Sequence, residues 1–231
     1  MAPTQAVPLG IGYYTVPEAA RLLRVPARNI KRWLGGYAYK AAGVETRVPP
    51  LWAPELPAFE DHIELSFRDL IELRFVNAFL KAGVGLLAVR NCIAYARNCV
   101  DDDRPFSTRR FRTDGRTIFL DSLRQTGEAE LLDLKQRQYV FKVAIEQTFR
   151  DLDIADDAVA RWRPFQGKKS VVVDPERAFG QPILTDYGVP TVTLAETAAA
   201  EGSPERAAFL YDVPVRAVRD ALQFETFLQA A

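Results

Sequence analysis

Arg28, Asn29, Lys31 and Arg32 fall within five residues of one another. These side chains can read nucleic acid. An arginine can pair with guanine through two N–H bonds, an asparagine can do the same with adenine, and a lysine supplies a point charge for phosphate. Thr15 lies just upstream, where a helix N-terminus could hold a phosphate. Tyr37 and Lys40 lie just downstream, where they could flank the sugar-phosphate backbone. The sequence therefore predicts that Thr15, Arg28, Asn29, Lys31, Arg32, Tyr37 and Lys40 contact double-stranded DNA. A second basic cluster, Arg109, Arg110, Arg112 and Arg116, could touch backbone phosphate or meet an acidic partner. It could equally be a solvated strand edge that blocks aggregation.

Other chemistry finds little support. His62 is the single histidine and sits in a segment rich in proline and acid, so no His/Cys metal set or Ser-His-Asp arrangement can be built around it. Neither G-x-x-x-x-G-K-[ST] nor G-x-G-x-x-G occurs. Asp101, Asp102 and Asp103 read as a solvated acidic loop after a helix rather than as metal ligands. No enzyme activity, metal or cofactor is expected.

The basic cluster needs elements to present it. Thr15 and Glu18 form a capping box, and Ala19, Ala20, Leu22 and Leu23 give the apolar face of a short helix. Arg24-Val25-Pro26 interrupts it. A second helix, 27–34, follows with Ile30, Trp33 and Leu34 inward, and Gly35-Gly36 stops it. A helix, a three-residue turn and a helix is the spacing of a helix-turn-helix, whose second helix enters the major groove.

Further along, residues 44–64 read as a proline-rich loop. Ser66 and Asp69 form another capping box, opening a helix on Leu70, Leu73, Val76 and Leu80. Gly83-Val84-Gly85 separates it from a helix on Leu86, Val89, Ile93 and Ala96. Cys92 and Cys99 lie seven apart on that helix, roughly 10 Å by helical rise, too far for a disulfide, and read as core thiols. Asp114-Gly115 sits between the β-prone runs 108–113 and 116–120, which predicts a hairpin. Residues 129–150 look mixed, with helix around 140–149, and the acidic run 151–157 is a candidate boundary. Residues 170–173 predict a strand, and helices are expected at 194–201, from Ser203-Pro204 onward, and at 215–228.

Formal net charge is zero over 231 residues, so any argument for a polyanionic partner rests on local asymmetry. An internal echo shows where the asymmetry lies. With Val25-Pro26 set against Val213-Pro214, Ala19 matches Ala207, Ala20 matches Ala208, Leu22 matches Leu210, Arg28 matches Arg216 and Leu34 matches Leu222. Residues 15–40 carry six cations and one anion, whereas residues 203–228 carry three cations and four anions. Only the first unit has the charge for DNA. The second is better suited to packing or protein contact. The residues at 1–12 do not form a signal peptide, and no apolar run approaches the length that spans a bilayer, so a cytoplasmic protein that does not enter membranes is expected.

Two stretches resemble known families. Residues 13–95, through YTVPEAARLLRVPARNIKRWL and LSFRDLIELRFVNAFLKAGVGLLAVRN, resemble the winged helix-turn-helix DNA-binding domain of MerR-type regulators, which bind as symmetric dimers. The segment 44–60, where such domains carry a wing, departs in being proline-rich. Residues 172–228, through VVDPERAFGQPIL and GVPTVTLAETAAAEGSPERAAFLYDVPVRAVRDALQFE, resemble a small trihelical domain of bacterial antitoxins. Together the chain is similar to large VapB-type antitoxins.

The resemblance, joined to the local hairpin signal at Asp114-Gly115, implies an α+β chain, mostly α. It would have a MerR-like winged helix-turn-helix over 10–100, a central linker and β-hairpin region over 101–168, and a C-terminal trihelical, helix-turn-helix-like domain over 169–231. It also implies a homodimer that binds a palindromic operator, represses its own operon and neutralises a PIN-like ribonuclease toxin. A stand-alone MerR-like regulator with a C-terminal dimerisation or ligand-sensing region is the alternative, and an adaptor that contacts only proteins is a third reading.

Overall fold

The computed structural model describes residues 10–41, 43–125, 134–166 and 168–229. The readings made above for 1–9 and 129–133 lie outside these. Helix predominates over strand, in an α+β arrangement.

The first elements follow the local rules. Strand β1 (Tyr14–Thr15) leads into α1 (Val16–Leu23), whose N-cap Thr15 accepts from the Glu18 amide while the Glu18 carboxylate accepts from the Thr15 amide. Arg24 ends α1 in the left-handed region at φ 54°, and α2 (Ala27–Gly35) starts three residues later. Gly36 then turns the chain at φ 71°; a Cβ there would lie 2.6 Å from the Val48 carbonyl, so only glycine fits. Strands β2 (Tyr37–Ala41) and β3 (Val44–Val48) pair antiparallel, Tyr37 opposite Val48. The expectation of a loop from residue 44 is corrected here: Val44, Glu45, Thr46, Arg47 and Val48 are a strand, and the irregular chain begins at the prolines.

Strand β4 (Glu64–Leu65) pairs with β1 and feeds α3 (Phe67–Lys81), which carries the second capping box, Ser66 with Asp69. Asp69 does more than cap. It is fully buried and accepts from Trp52 Nε1 at 2.9 Å, the Glu55 amide at 2.8 Å and Arg104 Nε at 2.6 Å. Arg104 also donates to the Ala53 carbonyl, so the proline-rich segment is pinned to α3 from two sides. Helix α4 (Leu86–Val100) follows, with Cys92 buried, Cys99 half-buried and both thiols free.

The centre of the chain departs from expectation. The hairpin expected around Asp114-Gly115 is a single helix, α5 (Arg109–Gln125). Phe111, Gly115, Ile118, Phe119, Ser122 and Leu123 are its buried residues, a helical period that outweighs the local turn signal. Phe119 stacks on Phe141 of α6 (Leu134–Phe149) at 3.8 Å, and Phe111 lies 4.6 Å from Phe106 in the 3₁₀ turn Pro105–Ser107. The hairpin of this region lies later: β5 (Leu152–Ala155) and β6 (Ala158–Trp162) pair antiparallel, so the acidic run is strand and turn. Asp102 is likewise not simply solvated, since it accepts from Arg68 Nη2 at 2.8 Å and the Arg104 amide at 2.7 Å.

Strands β7 (Val171–Val173) and β8 (Pro182–Leu184) complete a four-stranded sheet in the order β5-β6-β7-β8. Helices α7 (Thr191–Ala200), α8 (Pro204–Leu210) and α9 (Val215–Gln229) pack on one another as the last unit. A continuous set of buried apolar residues runs from Tyr14 to Leu228.

Glu72 of α3 is the unusual group in this core. It is 1% exposed; one oxygen accepts from the Ser107 amide at 2.8 Å and the other has no hydrogen-bond partner. Burial pushes its carboxyl up to about 8, against the opposing pull of the Ser107 and Phe106 amides, Arg68 and Arg104. The folded chain therefore holds a proton that the unfolded chain releases near the ordinary value of 4.5, and stability falls as pH rises between the two. Urea unfolding at pH 5, 6.5 and 8 should show a decline on the order of a few kcal/mol. Glu72→Gln should flatten it, and a decline unchanged in that variant would contradict the assignment.

Candidate nucleic-acid interface

The short helix pair and the hairpin that follows it bring most of the predicted residues together. Ile30, Trp33 and Leu34 face the core, which leaves Arg28, Lys31 and Arg32 exposed on the opposite side of α2 and Asn29 half-buried beside them. The Arg32 guanidinium lies 3.7 Å above the Tyr37 ring, and Tyr37 lies 6.2 Å from Tyr39. Lys40 is exposed on β2, opposite Glu45 of β3. The N-cap of α2 is Pro26, which offers no side-chain bond, so the first amides of this helix are left without a side-chain cap. Thr15 differs. Its hydroxyl donates to Glu18 at 2.7 Å, so the start of α1 already carries a carboxylate of its own.

One further residue belongs to this region and carries no local sequence signal. Arg90 of α4 donates to the carbonyls of Pro49 (2.7 Å) and Pro50 (2.8 Å), fixing the chain where it leaves β3. With Arg32, Tyr37, Tyr39, Leu86 and Leu87 it lines an open groove of about 680 Å³ alongside α2. Forty residues separate Arg90 from its acceptors, so only the fold reveals the contact.

Two of the six cations counted in the first unit face the other way. Arg21 forms an ion pair with Glu225 of α9, and the Arg24 guanidinium lies 4.4 Å over the Phe227 ring. Glu225 is 6% exposed and also accepts from the Thr191 hydroxyl at 2.5 Å. The Tyr14 hydroxyl donates to the Gly180 carbonyl at 2.8 Å, and the Tyr13 amide donates to the Phe179 carbonyl at 2.9 Å. Gly180 has φ 82°, and a Cβ on it would lie 2.2 Å from the Tyr14 oxygen. The face of α1 turned from α2 is thus a joint with the C-terminal unit. Arg28, Lys31, Arg32 and Lys40 are exposed and take no part in this joint.

The internal echo has a geometric counterpart. The Val25 amide donates to Ala20 and the Val213 amide to Ala208, both at 3.0 Å. The Asn29 amide donates to Pro26 and the Ala217 amide to Pro214, both at 2.8 Å. Arg24 and Asp212, equivalent in the alignment, are both left-handed, at φ 54° and 51°. The same turn is built twice, but α8 exposes Phe209 where α1 carries Arg21, and Leu210 is exposed where its counterpart Leu22 is buried.

The second basic cluster changes setting. Arg109, Arg112 and Arg116 form one exposed stripe on α5 at i, i+3 and i+7. Arg109 lies 3.3 Å from Asp157 and Arg110 3.9 Å from Asp114, both exposed pairs of little energetic weight. Among the described residues no three His, Cys, Asp or Glu side chains gather in a way that could hold a metal ion. No helix among them is long and apolar enough to cross a membrane.

No family model matches the chain. It is similar to a curated protein of Mycobacterium tuberculosis described as "Putative antitoxin VapB45", 29% identical over 221 residues, which covers 90% of this chain and 92% of the relative. Its fold is that of the X-ray crystal structure of Rv2018 from Mycobacterium tuberculosis, with a TM-score of 0.72 at 24% identity over 94% of this chain and 100% of that one. Both likenesses span the first unit, the centre and the last unit together.

The joint between α1 and α9 makes a stability prediction. Arg21→Ala leaves the Glu225 carboxylate buried without its cation. Breaking a buried pair costs about 3–5 kcal/mol, and the lower end applies because the Arg21 side chain is 41% exposed. Glu225→Gln keeps an acceptor for Thr191 and should cost about 1 kcal/mol. Equal urea midpoints for the two variants would contradict the clamp.

Proposed function

We propose that this chain is the antitoxin of a toxin–antitoxin pair: it binds a PIN-like ribonuclease toxin, and it binds operator DNA as a homodimer to repress its own operon. The observation that carries the reading is the near full-length similarity to the relative described as "Putative antitoxin VapB45". The DNA half is supported by the exposed basic face of α2, where Arg28, Lys31 and Arg32 stand free of the core. In this reading α1, α2 and the β2-β3 hairpin act as a MerR-like winged helix-turn-helix. Arg28 and Asn29 meet base edges, Lys31 and Lys40 meet phosphate, and Tyr37 holds Arg32 in its extended pose. The uncapped start of α2 offers N–H groups to a phosphate, a role better suited to it than to Thr15. A palindromic operator follows from two-fold symmetry, with two α2 helices one turn of DNA apart.

The toxin half is supported by the last unit. Its charge does not suit DNA, and Phe209 and Leu210 are 78% and 52% exposed at the end of α8. Adjacent exposed apolar side chains in a charged surround suit a protein contact. The Arg109, Arg112 and Arg116 stripe on α5 is a secondary surface for backbone phosphate or for an acidic face of the toxin.

Two measurements separate the halves. In a mobility-shift assay with the DNA upstream of its own gene, Arg28→Ala and Arg32→Ala should each weaken specific binding by about 1–3 kcal/mol. Affinity purification from the native host should bring down a small ribonuclease, and Phe209→Asp with Leu210→Asp should abolish that while leaving the DNA shift unchanged. A DNA shift with no co-purifying ribonuclease would instead make the chain a stand-alone regulator. No salt-sensitive shift at all would exclude both DNA-binding readings.

A further inference from the structure

Helix α6 uses only one of its sides in the fold. Phe141 stacks on Phe79 at 4.4 Å and Phe149 lies 4.8 Å from Phe75, which fixes the inner side against α3. Ala144, Ile145 and Thr148 are buried with these rings. Tyr139, Lys142, Glu146, Gln147 and Arg150 are left exposed and Val143 half-buried. Tyr139, Val143, Glu146 and Arg150 follow at spacings of four, three and four, so they form one stripe down the outer side.

Beside this stripe an open groove of about 460 Å³ runs between α3 and α6. Ala78 and Ala82 of α3 and Val143, Ala144 and Gln147 of α6 line it, so its walls are mostly small side chains. Tyr139 lines it too and is 71% exposed. A large ring thus stands in water beside a hollow of small residues.

Knob and hollow on one surface suit a second copy of the same chain. Tyr139 and Gln147 are eight residues apart, roughly 12 Å by helical rise. A two-fold axis near the middle of that span, at Val143, sets the second α6 antiparallel to the first. It lays each Tyr139 over the Gln147 end of the other copy's groove. Such a contact is isologous, and one patch must then be complementary to itself. The charges obey the same rule. Lys142 and Glu146 lie 3.6 Å apart on one flank of α6, and both are exposed. In an antiparallel pair that flank faces its own copy, which brings Lys142 within reach of the partner's Glu146 and Glu146 within reach of the partner's Lys142. An acidic or a basic protein would match only one of the two.

We propose that α6 and the end of α3 form the two-fold interface of a homodimer, with Tyr139 of each copy seated in the groove of the other. This rests on the dimer of the proposed function and gives that dimer a face.

Sedimentation equilibrium of the full chain is the test. The unmodified chain should be a dimer, and Tyr139→Ala should raise its dissociation constant roughly thirtyfold, the scale of one buried aromatic anchor. Lys142→Glu and Glu146→Lys should each weaken self-association, since like charges then face one another. Equal amounts of these two variants should form a heterodimer tighter than either homodimer, a gain that no folding defect can produce. Should Tyr139→Ala lose its cooperative unfolding transition, the mixed pair decides alone. A dimer unaffected by Tyr139→Ala, or a mixture without preference for the heterodimer, would overturn this interface and leave the DNA-binding dimer to another face. A monomeric unmodified chain would overturn the interface and the dimer together. Loss of a co-purifying ribonuclease in Tyr139→Ala with dimerisation unchanged would assign the face to the toxin, and would overturn the proposal as well.

Discussion

Glu225 holds a negative charge almost wholly out of water, and much of the arrangement follows from how that charge is satisfied. The Thr191 hydroxyl takes one oxygen and the Arg21 guanidinium the other. Removing a carboxylate from water costs several kcal/mol, so all three groups must be in place together. Thr191 opens α7, Glu225 lies on α9 and Arg21 lies on α1. One carboxylate therefore locks the first helix of the chain onto the last unit. Arg24 over Phe227 and Tyr14 against Gly180 close the same joint. Because α2 follows α1 after three residues, its outward face is oriented by a contact made two hundred residues away.

That constraint changes the meaning of the local charge. Six cations in residues 15–40 look like one basic surface on paper, but the fold divides them. Arg21 and Arg24 serve the joint, while Arg28, Lys31, Arg32 and Lys40 face outward with the hairpin beside them. Asp69 is the second buried carboxylate of consequence. It caps α3 and at the same time holds Trp52, Glu55 and Arg104, so the proline-rich chain after β3 is anchored although it has no regular structure. Arg90 holds the start of that chain from α4. The groove beside α2 owes its shape to these ties.

Local chemistry was legible where it depended on residues three or four apart. Both capping boxes, the helix pair around Val25-Pro26, the separation of the two thiols and the repeated turn at Val213-Pro214 belong to that class. What failed had a longer range. Asp114-Gly115 carries a strong turn signal, yet Phe111, Ile118 and Phe119 bury a helical face against α6. Gly115 sits where a Cβ would come within 3.1 Å of Ile145 and the Phe111 ring, so a glycine read as a turn is in fact a close packing point. The proline density after residue 48 hid the preceding strand, whose side chains are largely exposed and lack a clear apolar alternation. Apart from the Ser66–Asp69 capping box, the partners of Glu225, Asp69, Glu72 and Arg90 lie 14 to 204 residues away, and no periodicity encodes such pairings. Of the candidate interface, the residue types on α2 were readable, whereas which cations remained available was not.

The most direct test of the central claim, that the exposed face of α2 binds DNA through the four cations left outside the joint, is the salt dependence of operator affinity. A dimer presenting Lys31 and Lys40 twice to phosphate neutralises about four phosphates, so log K against log salt should fall with a slope of roughly −3 to −4. Lys31→Ala should reduce that slope by about two in the dimer, whereas Arg24→Ala, whose cation lies over Phe227, should leave it unchanged in folded protein. A slope near zero, or equal losses of slope from Arg24→Ala and Lys31→Ala, would contradict the account.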